Sequence, residues 1–438
     1  MTKKIYYTLP VVLLLIAAFM VGFIAPDVSA SRGNPNDLQA RINRLPDLLK
    51  TLVDRPSNDD TELPVLTTYY KVLGELKDSY YGKAIDDRQL TYSAIRGMLS
   101  ALDDPYTRFL DPDSYKQMRE ENEGNFVGIG AQLQVNKDQQ VYIKEPIPNS
   151  PALAAGVKAG DIIFKVDNKP IAGLDIDQVV DRIRGEEGTK VKLSLIRGPK
   201  KKLVELTIVR RMVEFQMVEW KMLDAANGIG YIRLRGFNEH SDSQFESAIT
   251  QLEHKKLKGL VFDLRQNPGG LLNVAVDIGS RFVESGPIVI IKYRSGQQEE
   301  LCVEKSKQNH KRYPLVVLVD KQSASASEIV TGAIQDNKAG TVVGTNSFGK
   351  ACVQTVSTLN DGSAIAITTA KYLTSKGRDI NKVGVKPDVF VASVEPKSGE
   401  DVIEFGDLKK DVQLIKGINV LKEKLGISAG KASGGKVR

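Results

Sequence analysis

The sequence is poor in the residues that most often build disulfide frameworks and metal sites. Its 438 residues include two cysteines, three histidines and one tryptophan. Cys302 and Cys352 are too few to make a disulfide framework, and we interpret Cys352 as a small packing residue. Cysteine and histidine together are too few and too scattered for a typical zinc site, so we expect no metal and no other cofactor.

Charge is slightly unbalanced, but the excess is spread thinly along the chain. The net charge is +7 and the pI is about 9.0. The densest basic run, Lys200–Lys202, follows Gly198 and Pro199 and is interpreted as a solvated hairpin turn, so no nucleic-acid partner is expected. Contents of 41% apolar and 26% charged residues are typical of a globular protein.

A long uncharged run lies at the start of the chain. Lys3 and Lys4 precede residues 9–25, which carry no charge, and Val28-Ser29-Ala30 has the small-residue pattern that a signal peptidase accepts. The run is long for a signal and short for a spanning helix, which needs about 20 residues. Residues 1–30 are therefore predicted to be a cleaved signal peptide or an uncleaved membrane anchor. Either alternative places the rest of the protein outside the cytoplasm, in a periplasm or lumen, with membrane contact only through this segment.

The spacing of apolar residues changes near residue 123, from a helical pattern to short β-rich runs. Residues 31–122 are predicted to be a helical N-terminal region, because apolar residues recur at three- and four-residue spacing from Val65 onward. Residues 123–212 contain short β-rich runs separated by turn residues, with helices predicted at Ser150–Gly156 and Asp175–Ile183. This second block is predicted to be a small domain by itself.

Strands and helices alternate over residues 213–400, which are predicted to form one α/β core. Continuous apolar strands such as GLVFDLR and LVVLVD imply a largely parallel sheet covered on both faces. Active sites of such sheets lie beyond the carboxyl ends of the strands. Asn267–Gly270 and the serine-rich residues 319–330 both fall there. Residues 401–438 are predicted to form an amphipathic helix at 407–425 and a frayed tail.

The serine-rich stretch VDKQSASASEIV raises the question of a nucleophile. Ser325 and Glu328 fit the S-x-x-E capping box of a helix start. Alternatively, Ser325 lies on a tight strand-to-helix turn, with its hydroxyl facing a cleft and the Ala326 amide available to an oxyanion. Both interpretations hold together if Ser323 or Ser327 caps the helix.

A serine nucleophile needs a base, and the histidines are poorly placed to supply it. His240 and His254 lie in or beside a polar helix, and His310 lies in a charged segment interpreted as an exposed loop, so each is predicted to be a surface residue. A lysine must lose about three units from a pKa of about 10.4, through burial, to act at pH 7. Lys350 lies among small and apolar residues in SFGKACVQTV, and the side chain of Gln354 can orient its amine without adding charge. The alternative is an ordinary lysine with a buried stem and a solvated head.

These stretches together resemble the carboxyl-terminal processing proteases, also called tail-specific proteases. The matching motifs are DLRQNPGG, SASASEI, FGKACVQ, TTAKYLTSKGRDI and GVKPD, in the family's order and spacing, and the resemblance spans residues 64–425. It implies a serine endopeptidase with Ser325 as the nucleophile, Lys350 as the general base and then acid, and Gln354 as the residue that orients Lys350.

The same resemblance implies an oxyanion hole and a fold. Gly269 or Gly270, with the Ala326 amide, would bind the oxyanion, because glycine lets backbone N–H groups approach closely; the alternative for this segment is a plain strand-to-helix turn. The implied fold is an α/β multidomain protein with a helical N-terminal region, a β-rich PDZ domain with two helices, and a mixed α/β protease core of the crotonase or ClpP-like type with a C-terminal helix. Ala351 and Cys352 depart from the Gly and the Ser or Thr that relatives often carry.

The β-rich block resembles the PDZ domain of this family through LAAGVKAGDIIFKVDN and IRGEEGTKV. The resemblance implies that strand addition holds the last residues of a substrate and that an apolar pocket takes its end side chain. Arg184 would couple peptide binding to the protease core, the alternative being a surface arginine before a turn. The residues implied to capture the substrate carboxylate are Gly128, Ile129, Gly130 and Ala131.

We therefore interpret the chain as an exported endopeptidase whose partners are proteins or peptides with apolar C-termini. A homo-oligomer formed through the helical ends, an adaptor or activator protein, and a resting state gated by the PDZ domain are further hypotheses. One rival is a non-catalytic PDZ adaptor with a degenerate core, against which the retained Ser325, Lys350 and Gln354 argue. The other is a crotonase-like thioester enzyme acting on coenzyme A, against which the export segment and the PDZ domain argue.

Overall fold

The computed structural model of the protein describes residues 64–83, 86–392 and 406–427. The predictions for residues 1–30, for residues 31–63 of the helical N-terminal region and for the frayed tail from 428 onward lie outside the described residues. The chain divides into two compact units, Met1–Asp86 and Asp87–Arg438. Across the described ranges, no helix combines the length and the apolar content that crossing a membrane requires.

Regular elements are listed here in chain order. The first unit contains helix α1 (Pro64–Ser79). The described helices of the second unit are α2 (Asp87–Ser100), α3 (Pro112–Glu123), α4 (Pro151–Ala154), α5 (Ile176–Ile183), α6 (Ser241–His254), α7 (Leu272–Ser280), α8 (Ala326–Asp336) and α9 (Val412–Lys424). Its described strands are β1 (Arg108–Leu110), β2 (Asn125–Gly128), β3 (Ala131–Val135), β4 (Val141–Pro146), β5 (Ile162–Val166), β6 (Lys169–Pro170), β7 (Lys190–Arg197), β8 (Lys202–Val209), β9 (Arg211–Glu214), β10 (Val218–Asp224), β11 (Ile229–Leu234), β12 (Gly259–Asp263), β13 (Pro287–Tyr293), β14 (Gln298–Cys302), β15 (Leu315–Val319), β16 (Thr341–Gly344), β17 (Cys352–Thr358), β18 (Ala364–Thr374) and β19 (Val389–Phe390).

The core of the second unit is a six-stranded sheet in the order β10-β11-β12-β15-β16-β19. β10 runs antiparallel to β11 and the other neighbours run parallel, which confirms the largely parallel sheet. One face packs against α6, α7 and α8 in a cluster that includes Phe245, Phe262 and Val330. The opposite face packs against α9 through Leu414 and Leu421. The apolar face of this C-terminal helix is therefore buried against its own sheet.

A second sheet departs from the predicted alternation of parallel strands. β13, predicted only as one strand of the series, runs antiparallel to β14 and β18, and β17 also pairs with β18. β1 pairs with β18 through Arg108 and Ala366, so the N-terminal region is not helical throughout. A three-residue strand is too short to show a period-two pattern, which is why the sequence did not indicate it.

The β-rich block forms its own sheet, in the order β3-β4-β5-β7-β8, with β6 on β5. Both predicted helices are present: Ser150 accepts a hydrogen bond from the Leu153 amide to begin α4, and Asp175 and Gln178 form a reciprocal capping box at α5. β7 and β8 pair on either side of the lysine-rich turn, which confirms the predicted hairpin. β3 lies at the edge of this sheet.

A buried ionic cluster ties α9 to the end of β12. Arg265 donates to Oδ2 of Asp263 at 2.6 Å and to Oδ2 of Asp411 at 2.7 Å, and all three side chains are buried. Gln413 accepts from Arg265 at 3.1 Å, and the Tyr231 hydroxyl donates to Asp263 at 2.7 Å. Burial alone raises the pKa of Asp411, but the hydrogen bonds and charge of Arg265 bring that pKa below its ordinary value. The carboxylate therefore stays charged inside the protein.

Candidate active site

Ser325 lies on the turn between β15 and α8, as predicted. Its backbone has φ 54° and ψ −116°, a left-handed conformation that costs a non-glycine residue on the order of 1–3 kcal/mol. The neighbouring serines hold the turn: Ser323 donates to the Leu264 carbonyl at 2.8 Å, and Ser327 donates to the Asn267 carbonyl at 2.9 Å. These two hydroxyls bond to the adjacent segment instead of capping the helix, and Ser325 lines a cleft.

Glu328 joins the serine turn to the lysine loop. Its fully buried carboxylate accepts the amides of Ser325 and Lys350 at Oε2, both at 2.9 Å. Oε1 accepts the Gly349 amide at 2.7 Å and the Ser347 hydroxyl at 2.5 Å. The predicted capping box of Ser325 and Glu328 is thus present, and the same carboxylate also fixes the two loops relative to each other.

The loop that carries Lys350 follows β16, the parallel neighbour of β15. The Phe348 amide donates to the Ser323 carbonyl at 3.0 Å, which places the loop beside the serine turn. Gly349 has φ 89°, and a Cβ at this position would lie 2.8 Å from the Val383 amide nitrogen. Only glycine fits there without strain, so the path of the lysine loop depends on this residue.

The Lys350 amine is half-buried in a cleft of about 740 Å³. Burial lowers the pKa of Lys350 and the charge of Arg108 acts in the same direction, whereas Cys352, Asp104 and Glu328 oppose the shift. A lowered pKa increases the fraction of neutral amine near pH 7, the form that can accept a proton. This favours a base over the ordinary surface lysine considered from the sequence.

Tyr372 contacts the backbone of both loops. Its hydroxyl donates to the Ser325 carbonyl at 3.1 Å and also lies against the Lys350 carbonyl. Burial raises the pKa of Tyr372 well above its ordinary value, so the hydroxyl keeps its proton and remains a donor. The tyrosine belongs to the TTAKYLTSKGRDI motif, but the sequence assigned no role to it.

Gln354 lies in the same cleft, on β17 opposite Thr368. Its amide nitrogen donates to Sγ of Cys352 at 3.1 Å and to Oγ1 of Thr368 at 3.5 Å. Cys352 is buried, as a packing residue should be, and burial raises the pKa of its thiol, but it also holds Gln354 in place. Ala351 is buried and its φ is not positive, so alanine in place of glycine causes no backbone strain.

The glycine segment beside Ser325 has conformations that only glycine adopts easily. Gly269 has φ 102°, and a Cβ there would lie 2.8 Å from the Ser325 Cβ. Gly270 has φ 144°, and a Cβ there would collide with the Phe237 carbonyl oxygen. The Gly269 amide already donates to Oδ1 of Asn267 at 2.9 Å. Of the two glycine amides considered from the sequence, that of Gly270 is therefore the better candidate donor to an oxyanion.

The cleft brings together the predicted residues of the protease core. The shared property of this group is that each member lines the same cavity beyond the carboxyl ends of β15 and β16. Its members are Ser325, Ala326, Lys350, Gln354, Gly269 and Gly270.

The PDZ-like block presents a second candidate site. The predicted carboxylate-binding residues Gly128–Ala131 connect β2 to the edge strand β3. Gly130 has φ 73°, and a Cβ there would collide with the Ser150 Cβ. α5 packs beside β3, and Leu133 and Ile176 are half-buried against the core of the block. An edge strand beside a helix leaves room for a peptide strand.

Arg184, at the end of α5, lies beside α3. Its Nη1 lies 3.6 Å from Oε2 of Glu120 on α3, and both side chains are partly exposed. The turn after Arg184 is held by Arg210, whose Nε donates to the Ile183 carbonyl at 2.7 Å. A Cβ on Gly185 would lie 2.9 Å from the Arg210 guanidinium carbon. The sequence did not single out Arg210.

Three family descriptions match the chain in consecutive segments. Residues 50–114 match the activating protease CtpB N-terminal domain, residues 117–196 the PDZ domain, and residues 228–391 peptidase family S41.

Individual relatives extend these matches over most of the chain. The carboxy-terminal processing protease CtpA of Bacillus subtilis is 38% identical over 334 residues, which cover 76% of this chain and 70% of the relative. The carboxyl-terminal-processing protease of Synechocystis is 37% identical, covering 72% and 74%. The chain belongs to the carboxyl-terminal processing protease family. The solved structure of a photosystem II D1 C-terminal processing protease is 34% identical, covers 74% of this chain and 87% of its own, and has a TM-score of 0.44.

As a member of the carboxyl-terminal processing proteases, the chain is a serine endopeptidase with a PDZ domain, and none of its three histidines lines the cleft that contains Ser325. His310 is less exposed than predicted: Nε2 lies 2.8 Å from Glu246 and Nδ1 lies 3.0 Å from Glu253. These contacts place it in a separate cleft of about 430 Å³. His254 is exposed, as predicted.

Tyr106, Asn267, Glu328 and Tyr372 are the residues around this protease cleft whose contacts the sequence did not indicate. Glu328 and Tyr372 lie inside motifs of the carboxyl-terminal processing proteases, so their position in those motifs was the available signal. Tyr106 lies in DDPYTRFL, within the region predicted to be helical, and carried no signal of its own.

Proposed function

We propose that the chain is an exported endopeptidase that binds apolar substrate C-termini in its PDZ domain and cuts with a Ser-Lys dyad. The observation that carries the dyad is the buried Glu328 carboxylate, which accepts the amides of both Ser325 and Lys350 at 2.9 Å. Two loops far apart in the sequence are thereby held in one cleft, with a hydroxyl on one and a half-buried amine on the other. The proposed core is of the crotonase or ClpP-like type.

The first chemical step is attack by the Ser325 hydroxyl on the scissile carbonyl. The neutral Lys350 amine takes the hydroxyl proton, and burial supplies the lowered pKa that this role needs. The oxyanion of the tetrahedral intermediate lies against the amides of Gly270 and Ala326, the latter at the start of α8, where the first helical N–H groups have no partner in the helix.

The second half of the reaction reverses the proton's path. The Lys350 ammonium donates a proton to the leaving amine as the C–N bond breaks, and an acyl-enzyme remains on Ser325. Lys350 then takes a proton from the attacking water and returns it to the Ser325 oxygen as the ester bond breaks. Gln354 orients Lys350 through its side-chain oxygen, because its amide nitrogen is engaged by Cys352 and Thr368.

The PDZ domain supplies substrate selection in this proposal. A substrate tail adds as a strand to the edge of β3, its carboxylate is bound by backbone amides of Gly128–Ala131, and its end side chain lies among Leu133, Ile176 and their neighbours. Arg184 couples peptide binding in this groove to the protease core through its contact with Glu120. Residues 1–30 direct the protein to a periplasm or lumen, as a cleaved signal or as an anchor.

The test is proteolysis of an unstructured protein that ends in apolar residues. We expect Ser325→Ala and Lys350→Ala to abolish cleavage, and His310→Ala to retain it, with circular dichroism confirming that each variant is folded. Amidation of the substrate C-terminus is expected to raise KM and leave cleavage of short internal peptides unchanged. Activity retained by Lys350→Ala would refute the dyad, and binding of the tail without any cutting by the wild type would favour the adaptor alternative.

A further inference from the structure

Tyr106 places the face of its ring against the Lys350 amine. Nζ lies 4.9 Å from the ring centroid, within the distance at which an ammonium ion is attracted by an aromatic quadrupole. Tyr106 is half-buried and lines the same cleft as Ser325. The ring therefore forms part of the immediate environment of the amine.

The segment that carries Tyr106 is locked onto the protease core. Oδ1 of Asp104 accepts the Tyr106 amide at 3.0 Å, and Oδ2 accepts the Thr107 hydroxyl at 2.7 Å. The Thr107 hydroxyl in turn accepts the Thr368 amide of β18 at 3.0 Å. Because β1 then pairs with β18, the ring is held by two independent sets of contacts. The segment that carries the ring is therefore fixed to β18 of the second sheet.

We propose that Tyr106 is a positioning residue whose ring face binds the ammonium form of Lys350 and so sets the pH at which this lysine becomes a base. The proposal rests on the proposed role of Lys350. It assigns to the N-terminal segment a part in the chemistry, beyond covering the core.

Two effects of the ring oppose each other. By covering the amine, the ring helps to exclude water, which lowers the pKa of Lys350. By presenting its negative face, it stabilises the charged amine, which raises that pKa. Burial also raises the pKa of Tyr106 itself, so its hydroxyl stays neutral across the pH range of an assay. The π face can be removed separately from the cover by substitution with an aliphatic residue.

Other groups that face the amine remain unchanged in such variants. They come from four segments of the second unit: the turn before β1, β1 itself, the start of α8 and the start of β17. The titratable and charged members are Asp104, Arg108, Glu328 and Cys352, with the neutral Tyr372 nearby on β18. A difference between Tyr106 variants therefore reports on the ring.

The experiment compares Tyr106→Phe, Tyr106→Leu and Tyr106→Ala through the pH dependence of kcat/KM, whose acid limb reports the free-enzyme pKa of the base. Tyr106→Phe keeps the π face and is expected to match the wild type. Tyr106→Leu keeps an apolar cover without a π face, so the acid limb is expected to move to lower pH by about one unit. Tyr106→Ala admits water and is expected to move the limb to higher pH.

A readout independent of turnover is the Lys350 Cε chemical shift during an NMR pH titration of the full chain with Ser325→Ala, assigned by comparison with a Lys350→Arg spectrum. The same order of pKa values, Leu below Phe and Ala above it, is expected. Tyr115→Leu, a tyrosine of α3 packed near Leu110, is the matched control and is expected to leave both profiles unchanged.

Equal acid limbs for Tyr106→Phe and Tyr106→Leu, with equal Lys350 titrations, would overturn the proposal. A limb that moves to higher pH in both Leu and Ala would also overturn it, because the ring would then act only as a cover. The proposed dyad fails by a different result, namely activity in Lys350→Ala. A failure of one is therefore distinguishable from a failure of the other.

Discussion

The two candidate sites of the second unit offer different groups: the PDZ groove offers backbone atoms, and the protease cleft offers side chains. The PDZ groove is formed by an edge strand, β3, and a glycine-containing turn, so its recognition groups are backbone atoms. The protease cleft is formed around side chains that are themselves fixed by buried polar groups, with the fully buried Glu328 carboxylate at the centre.

The difference reflects what each site must do. A groove that accepts many tails needs an open edge and the right shape, and backbone hydrogen bonds are indifferent to the side chains of the added strand. A site that moves protons needs one hydroxyl and one amine held in a fixed relation, because a misplacement of about 1 Å can cost on the order of 100-fold in rate. The buried polar contacts around Glu328 supply that fixation.

The largest expected effect comes from Glu328→Gln, which changes the protease cleft and leaves the PDZ groove intact. The carboxylate accepts four donors, whereas a glutamine offers one oxygen and turns an NH2 group toward backbone N–H groups. We expect kcat to fall about 100-fold or more while the affinity of the PDZ domain for a peptide tail is unchanged. Kinetics on a short peptide and fluorescence anisotropy of a labelled tail measure the two. Glu300→Gln, at an exposed position, is the control, and a kcat within twofold of the wild type in Glu328→Gln would contradict the prediction.

An intermediate effect is expected from Gly130→Ala, which distorts the turn that forms part of the PDZ groove. Alanine there meets both a left-handed backbone and the Ser150 side chain, whereas Gly173→Ala meets a left-handed backbone of φ 81° with open space around it. We expect Gly130→Ala to weaken tail binding about tenfold, measured on the full chain with Ser325→Ala, and Gly173→Ala to weaken it far less. Cleavage of a short peptide without a free C-terminus should be unaffected. Equal loss of binding in the two variants would show that the contact with Ser150 is irrelevant.

The smallest expected effect comes from the contact between Arg184 of α5 and Glu120 of α3. The Arg184–Glu120 pair is long, at 3.6 Å, and partly exposed, so solvent screens it and its contribution to stability is below about 1 kcal/mol. We expect Arg184→Ala to raise KM for a substrate with a free C-terminus by about two- to threefold. A double-mutant cycle with Glu120→Ala measures the coupling. Additive effects of the two substitutions on KM would mean that the pair carries no signal.

Sequence reasoning succeeded where a local pattern determines position. Ser325 and Lys350 each follow a short buried strand, and the parallel pairing of β15 with β16 was implied by those strands. Glycine in the Asn267–Gly270 segment indicated a close backbone approach, which the contacts of Gly269 with the serine turn bear out.

It failed where tertiary packing brings distant segments together. The residues around Tyr106 in the sequence do not indicate that its ring contacts Lys350, which follows the PDZ domain in the chain. Likewise, the residues around His310 do not indicate that two glutamates bury it. The S-x-x-E pattern predicted a capping role for Glu328, but the donors from the lysine loop are set by the fold. Side chains with several partners are the ones that a linear pattern describes least well.

The ionic cluster at Arg265 has a consequence for the order in which the enzyme is made. Arg265 lies two residues before the segment Asn267–Gly270, and one of its two carboxylate partners, Asp411, lies 146 residues later in the chain, at the start of α9. A buried cation that has lost one partner is strongly destabilising. We therefore expect the second unit to reach its full stability only after the segment with Asp411 and α9 has been synthesised.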